Sequence, residues 1–270
     1  MIFICETCGT HVHATQQPAD CRICSDERQY VGWKGQVWLS PDAMRRTHRN
    51  RLEHDGGLLG VGVTPAFGID QRALILPTDI GNIMWESVSV VTPEAVARLN
   101  ALGGIAAIAI SHPHFYAAMA EWSEALGDVP IWLHEKDAAW VQCPTRNIRF
   151  WSGARHELSP TVSLIHCGGH FAGSAALHWR AGPRPGGALL PGDAVQVVAD
   201  RRHLAFMYSY PNYIPMSHRS VRYIEGQLAA DRFEDIYGYT WGRNVMGDGK
   251  AAVARSIDRF VGSAGAPSPA

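Results

Sequence analysis

Ile108-Ala109-Ile110-Ser111-His112-Pro113-His114-Phe115-Tyr116 is the stretch on which the reading of this chain turns. An apolar run stops at a polar turn, and the turn carries two histidines two residues apart. The run reads as a buried strand and the turn as the place where that strand delivers ligands. Two later stretches look built to meet it. One is Cys167-Gly168-Gly169-His170-Phe171-Ala172-Gly173-Ser174, the other Pro191-Gly192-Asp193-Ala194. Together they offer the imidazoles of His112, His114 and His170 and the carboxylate of Asp193, ligand chemistry for zinc or a similar first-row metal.

The 270 residues suit one large domain, or one domain with a small appendage. A hydrophobic share of 46% supports a sizeable core. The formal net charge of -1 carries no electrostatic footprint of a nucleic-acid binder. The first residues, Met1 to Glu6, show no basic n-region and no long apolar stretch, so no signal peptide is expected. No run approaches the ~18 apolar residues of a membrane span. The expectation is a cytoplasmic protein with a small-molecule substrate, without nucleic-acid or membrane partners, and with a homodimer left open.

Cys5-x2-Cys8 and Cys21-x2-Cys24 stand twelve residues apart. Each pair can form a knuckle, and two knuckles complete a tetrahedral four-sulfur site. Gly9 follows the first pair, where a tight turn is helped by positive φ. Four thiolates leave no open position for substrate, so the metal is read as structural zinc, with rubredoxin-like iron as the alternative. A lobe this small cannot bury a core and needs the metal to hold it. His11 and His13, lying between the knuckles, are read as surface residues. Cys143 and Cys167 are read as small core residues.

The rest of the chain alternates strand and helix patterns. Ser40-Pro41-Asp42 marks a helix start, and the basic run from Arg45 to Arg51 is read as its solvated face. Short strands are expected at 58–63, 72–76, 82–85, 105–111, 130–134, 162–166, 175–180 and 235–239. Helices are expected at 92–102, 116–126, 217–228 and 250–261. Residues 206–216, aromatic with two prolines, read as a packed loop and a pocket wall.

A strand ending in His-x-His, a later Gly-Gly-His and a still later Gly-Asp, in this order and on this strand pattern, resemble the metallo-β-lactamase superfamily. The resemblance covers roughly residues 57–261. It implies an α+β fold, a four-layer αβ/βα sandwich, here with a zinc-ribbon lobe at 1–35, the main domain at 36–262 and a flexible tail at 263–270. It places His112, His114 and His170 as ligands of one metal and Asp193 as the carboxylate that bridges two metals in dinuclear members. The chain departs from the family where the motif continues as His-x-His-x-Asp-His, because those last two positions hold Tyr116 and Ala117. A late histidine is also missing from 236–244. One catalytic metal is therefore expected. The Ser-His-Pro-His-Phe-Tyr motif with an N-terminal cysteine ribbon is similar to a bacterial subgroup to which no substrate is attached.

Three imidazoles leave an open position on a divalent ion, and the tyrosine- and tryptophan-rich segments favour an apolar pocket, so the expectation is a hydrolase in which metal-bound hydroxide attacks an ester, thioester, lactone or similar small substrate. Asp193 would be a fourth ligand or would hold the water and take its proton. Tyr116 would hydrogen-bond an oxyanion. Two other readings stand beside it. Zinc or iron suits the histidine site, and His112, His170 and Asp193 could serve an iron oxygenase acting on a persulfide. A non-catalytic scaffold with the ribbon as docking module is the third.

Overall fold

In the computed structural model, which describes residues 1–263, neighbouring residues of each central strand go to different layers. Ile75, Met84, Ile108 and Ile110 join a cluster with Ala95, Leu99 and Trp122 of two helices. Their sequence neighbours Leu74, Leu76, Ile83, Trp85 and Ala109 meet Leu164, Leu177 and Leu190 instead. On the other side Ile165, Ala176, Leu189 and Ile236 join Val221, Ile224, Val253 and Ile257 of two further helices. Side chains alternate across a strand, so strands apolar at every position become sheets buried on both faces. Three stacked apolar layers make four layers of structure: helix, sheet, sheet, helix. This is the expected αβ/βα sandwich.

The first sheet has seven strands in the order Ile148–Trp151, Ile131–His134, Ala107–Ala109, Gly81–Trp85, Ala73–Thr78, Leu58–Thr64 and Arg49–Asp55. The first four run parallel and the rest antiparallel. The second sheet orders Arg155–Glu157, Val162–His166, Ala175–Trp179, Ala188–Leu190, Asp235–Tyr237 and Asn244–Val245. Helices Pro93–Ala101 and Met119–Ala125 cover the first sheet, and His218–Leu228 and Gly249–Ser263 the second. Thr92 and Ser217 cap two of them, each side chain accepting a backbone N–H three residues on.

The N-terminal lobe has its own small sheet. Ile2–Cys5 pairs antiparallel with His11–His13 on one side and Trp38–Leu39 on the other. The expected tail lies outside the described residues from position 264 on. No helix among the described residues is long and apolar enough to cross a membrane.

Several local expectations need correction. The basic run is helix only to Thr47, since Arg49–Asp55 is an edge strand. Its alternating burial against Leu58–Thr64 outweighs the helix signal upstream. His11 is buried, with Nε2 bonded to the Ser89 carbonyl at 2.9 Å, because the lobe is packed against the sandwich. Cys143 is only half-buried, whereas Cys167 lies in the core. The aromatic stretch 206–216 contains a hairpin, Met207–Ser209 with Ile214–Pro215.

Candidate metal centre

The parallel strand Ala107–Ala109 ends under a single 3₁₀ turn, Pro113–Phe115, with His112 at its N-cap in extended conformation. Pro113 cannot continue a ladder and fixes the turn, so His112 and His114 leave the sheet edge on the same side. The Gly168-Gly169 turn after Val162–His166 brings His170 to them. Both glycines have positive φ, and a Cβ on Gly169 would stand 2.8 Å from the Met216 sulfur. Asp193 arrives after Ala188–Leu190, through Gly192 at φ +55, where a Cβ would fall 2.3 Å from Ser111 Oγ. Three loops at one edge of the sandwich thus converge.

The three imidazole rings form a nearly equilateral triangle, with centroids 5.1 Å (His112–His114), 4.8 Å (His112–His170) and 5.0 Å (His114–His170) apart. One donor atom from each of His112, His114, His170 and Asp193 lies within 4.8 Å of all the others. Asp193 Oδ2 stands 3.6 Å from His112 Nε2 and 3.8 Å from His170 Nε2. His170 Nε2 and His114 Nδ1 are 3.2 Å apart. A tetrahedron with metal–nitrogen bonds of about 2.0–2.1 Å has edges of about 3.3 Å, so the set is the right size for one ion.

The hydrogen bonds point the same way. His170 Nδ1 donates to the Tyr208 carbonyl at 2.8 Å, which leaves a lone pair on Nε2 facing the other donors. His112 Nδ1 pairs with Ser111 Oγ at 2.7 Å, and the Ser111 N–H donates to Glu86 Oε2 at 3.0 Å. His112 Nε2, His114 Nε2 and Asp193 Oδ1 are buried with no protein partner. Buried polar atoms are nearly always paired, and three unpartnered ones on the residues of one donor set fit a bound cation. Burial pushes His112 and His170 down to about 3 and His114 well below its ordinary value, so all three are neutral, the form that ligates. Burial raises Asp193 to about 6 against the pull of His170, and Glu86 to about 8.

Tyr116 caps the same turn and is buried in the first-sheet core. Burial, with Asp137 and Glu86 nearby, holds its phenol well above the ordinary range. Glu86 is placed by the structure behind Ser111, at φ +71. Asp137 was not legible as part of this neighbourhood. Its Oδ1 accepts the Gly173 N–H at 2.8 Å, Oδ2 has no partner, and burial lifts it to about 7. Three buried histidines outside the set are engaged elsewhere. His134 caps the turn Glu135–Trp140, His166 bonds Tyr223 and Ala172, and His178 Nε2 donates to the Arg232 carbonyl at 2.8 Å.

Cys5, Cys8, Cys21 and Cys24 form a second cluster, with sulfurs 3.6 Å apart in the pairs Cys5–Cys24 and Cys8–Cys21. That is far beyond the roughly 2 Å of a disulfide. It is close to the ~3.8 Å edge of a tetrahedron with zinc–sulfur bonds of about 2.3 Å.

The chain is 38% identical over 263 residues to YmaE of Bacillus subtilis (strain 168), described as an uncharacterized protein, covering 96% of this chain and 95% of YmaE. Among solved structures, the DIM-1 metallo-β-lactamase superposes with TM-score 0.57 at 10% identity, over 80% of this chain and 98% of that one. TTHA1623 in a di-iron-bound form superposes with TM-score 0.52 at 19% identity, over 72% and 97%. No protein-family model matches the chain.

Proposed function

The chain belongs to the family of Bacillus subtilis YmaE and has the metallo-β-lactamase fold, and from that premise we propose that it is a metal-dependent hydrolase of a small ester, thioester or lactone. The observation that carries the reading is the convergence of His112, His114, His170 and Asp193, with one donor atom of each within 4.8 Å of all the others. A divalent ion held by these donors supplies Lewis acidity and lowers the pKa of a water it binds to roughly 7.

The chain's own residues do the rest. Ser111 and the Tyr208 carbonyl orient His112 and His170. Asp193 has two oxygens in different roles. Oδ2 faces the histidines as a donor, and Oδ1 holds the attacking water and takes its proton. Tyr116, kept protonated by burial, donates to the oxyanion that forms on the substrate carbonyl. One ion is favoured over two because Ala117 has no donor and 236–244 has no imidazole. In that late segment Trp241 fills the space above Gly60 and Gly62, where a Cβ would meet its ring at 2.6 and 3.0 Å.

Iron is the second candidate for the ion, because TTHA1623, a protein of the same fold, is solved with two irons. Metal analysis of protein purified without added metal tests both points. About two ions per chain, with one lost in His112→Ala/His170→Ala, supports the centre, and the element lost separates zinc from iron. A panel of esters, thioesters and lactones then tests hydrolysis. The same single ion in both proteins, with no turnover, would sink the enzymatic reading and leave a binding scaffold.

A further inference from the structure

The four donor side chains of the histidine site are 1–3% exposed, so a ligand reaches them only after something moves. The segment laid against them belongs to the cysteine lobe. Residues 26–29 follow Cys24 directly. The Arg28 guanidinium sits 3.9 Å over the ring of Phe171, and that ring contacts the rings of His112, His114 and His170. Arg28 Nη1 also donates to the His170 carbonyl at 3.2 Å, while Asp26 grips the same guanidinium from the other side.

The opposite bank is the 207–215 hairpin, whose Tyr208 carbonyl orients His170. The Tyr208 hydroxyl donates to Glu27, and Ser209 Oγ donates to the Arg28 carbonyl at 3.1 Å. Asn212 Nδ2 donates to the carbonyls of Glu27 and Gln29 at 2.9 and 3.0 Å. The bonds that hold 26–29 to the hairpin are polar and lie at the edge of the molecule. A contact of that kind opens locally without unfolding a core. Beyond it the chain runs out through a fully exposed Trp33 and a Gly32–Gly35 turn, which gives slack.

We propose that the cysteine lobe is the lid of the histidine site. Residues 26–29 lift from the hairpin to admit the ligand, and the four-cysteine cluster sets the closed position by anchoring the segment at Cys24. This rests on the metal-centre reading given above, and the test separates the two. Tyr208→Phe/Asn212→Ala removes three hydrogen bonds across the seam and leaves every donor and the Tyr208 carbonyl in place. In the cobalt(II)-loaded protein, thiolate charge-transfer bands report the cysteine site and weaker visible bands the histidine site. A chelator should strip the histidine site of the variant about ten-fold faster or more, with the thiolate bands unchanged, because three net bonds are lost from the closed state only. Asn212→Ala alone, losing two of them, should fall between. Equal stripping rates would overturn the lid. If wild type takes up no cobalt at the histidines, the metal-centre reading fails instead. The lid is then read from diethyl pyrocarbonate labelling of His112, His114 and His170 by peptide mapping, which the variant must accelerate by a similar factor. Equal labelling overturns it.

Discussion

The two clusters of this protein are built in opposite ways. The four cysteines span only twenty residues, from Cys5 to Cys24, and sit on a lobe whose sheet is three short strands. Its apolar cluster is the cysteines themselves with Ile23, edged by Trp38, Ile69 and Trp140. The three histidines and Asp193 span eighty-two positions and hang from strand ends of both sheets, with a large core beneath each. The first site has to create the structure that holds it. The second is held by structure that exists without it. A metal would therefore supply folding energy in the lobe, and in the sandwich would be free to serve the proposed chemistry.

The largest effect should come from breaking the lobe. In Cys21→Ser/Cys24→Ser, residues 1–39 should lose amide protection, since a structural zinc is worth about 10–16 kcal/mol in isolated small domains. Hydrogen exchange should show the sandwich strands still protected. Unfolding of both parts together would erase the contrast.

Next comes His112→Ala/His170→Ala. Turnover and one metal ion should disappear, yet the melting temperature should stay within about 2–4 °C, the shift that roughly 1 kcal/mol gives in a chain of this size. A calorimetric scan of the metal-free proteins checks it, and a collapse of the fold would show that this site too is structural. Tyr116→Phe sharpens the chemistry within the same site. It should cost about 10²–10³ in rate, as loss of an oxyanion donor does, while metal content stays unchanged.

A smaller effect should follow Gly192→Ala. The φ of +55 and the 2.3 Å approach to Ser111 Oγ leave no space for a methyl group. Strain of about 1–3 kcal/mol should appear as a lower melting temperature and weaker metal binding at the histidines alone. Unaltered binding there would mean that Ser111 does not set the pose of His112.

The smallest effect lies outside both sites. Burial alone would raise Asp231, but hydrogen bonds from His178 and Arg155 win and hold it at about 2. A carboxyl depressed in the folded state adds stability above its unfolded value near 3.9 and loses it as pH falls toward 2. Asp231→Asn should flatten that part of the acid limb without touching either metal. An unchanged acid limb in urea titrations between pH 4 and 2 would remove this residue from the account.

Much of this was legible in the sequence, for identifiable reasons. The CxxC spacing encodes a site within one short segment. His112 and His114 are adjacent on one turn, and the glycines before His170 and Asp193 mark where the backbone must bend to reach them. The helix start at Ser40-Pro41-Asp42 is local chemistry, and there the Ser40 Oγ accepts the Ala43 N–H at 3.2 Å. The end of the basic run, 49–51, departs from the helix expected there because it belongs to an edge strand, Arg49–Asp55, which takes its pattern from a partner, Leu58–Thr64, not from its own composition.

What the sequence determined by itself is the chemistry available: four thiols at knuckle spacing, three imidazoles and a carboxylate at turns, and strands apolar on both faces. These depend on residues a few positions apart. What only the tertiary structure decided is who stands next to whom. It buried His11 against Ser89, put Glu86 behind Ser111, Asp137 against Gly173 and Arg28 over Phe171. Each of those contacts joins residues 25 to 143 positions apart. Their pairing follows from the packing of two sheets and a lobe, and no local pattern in the chain encodes it.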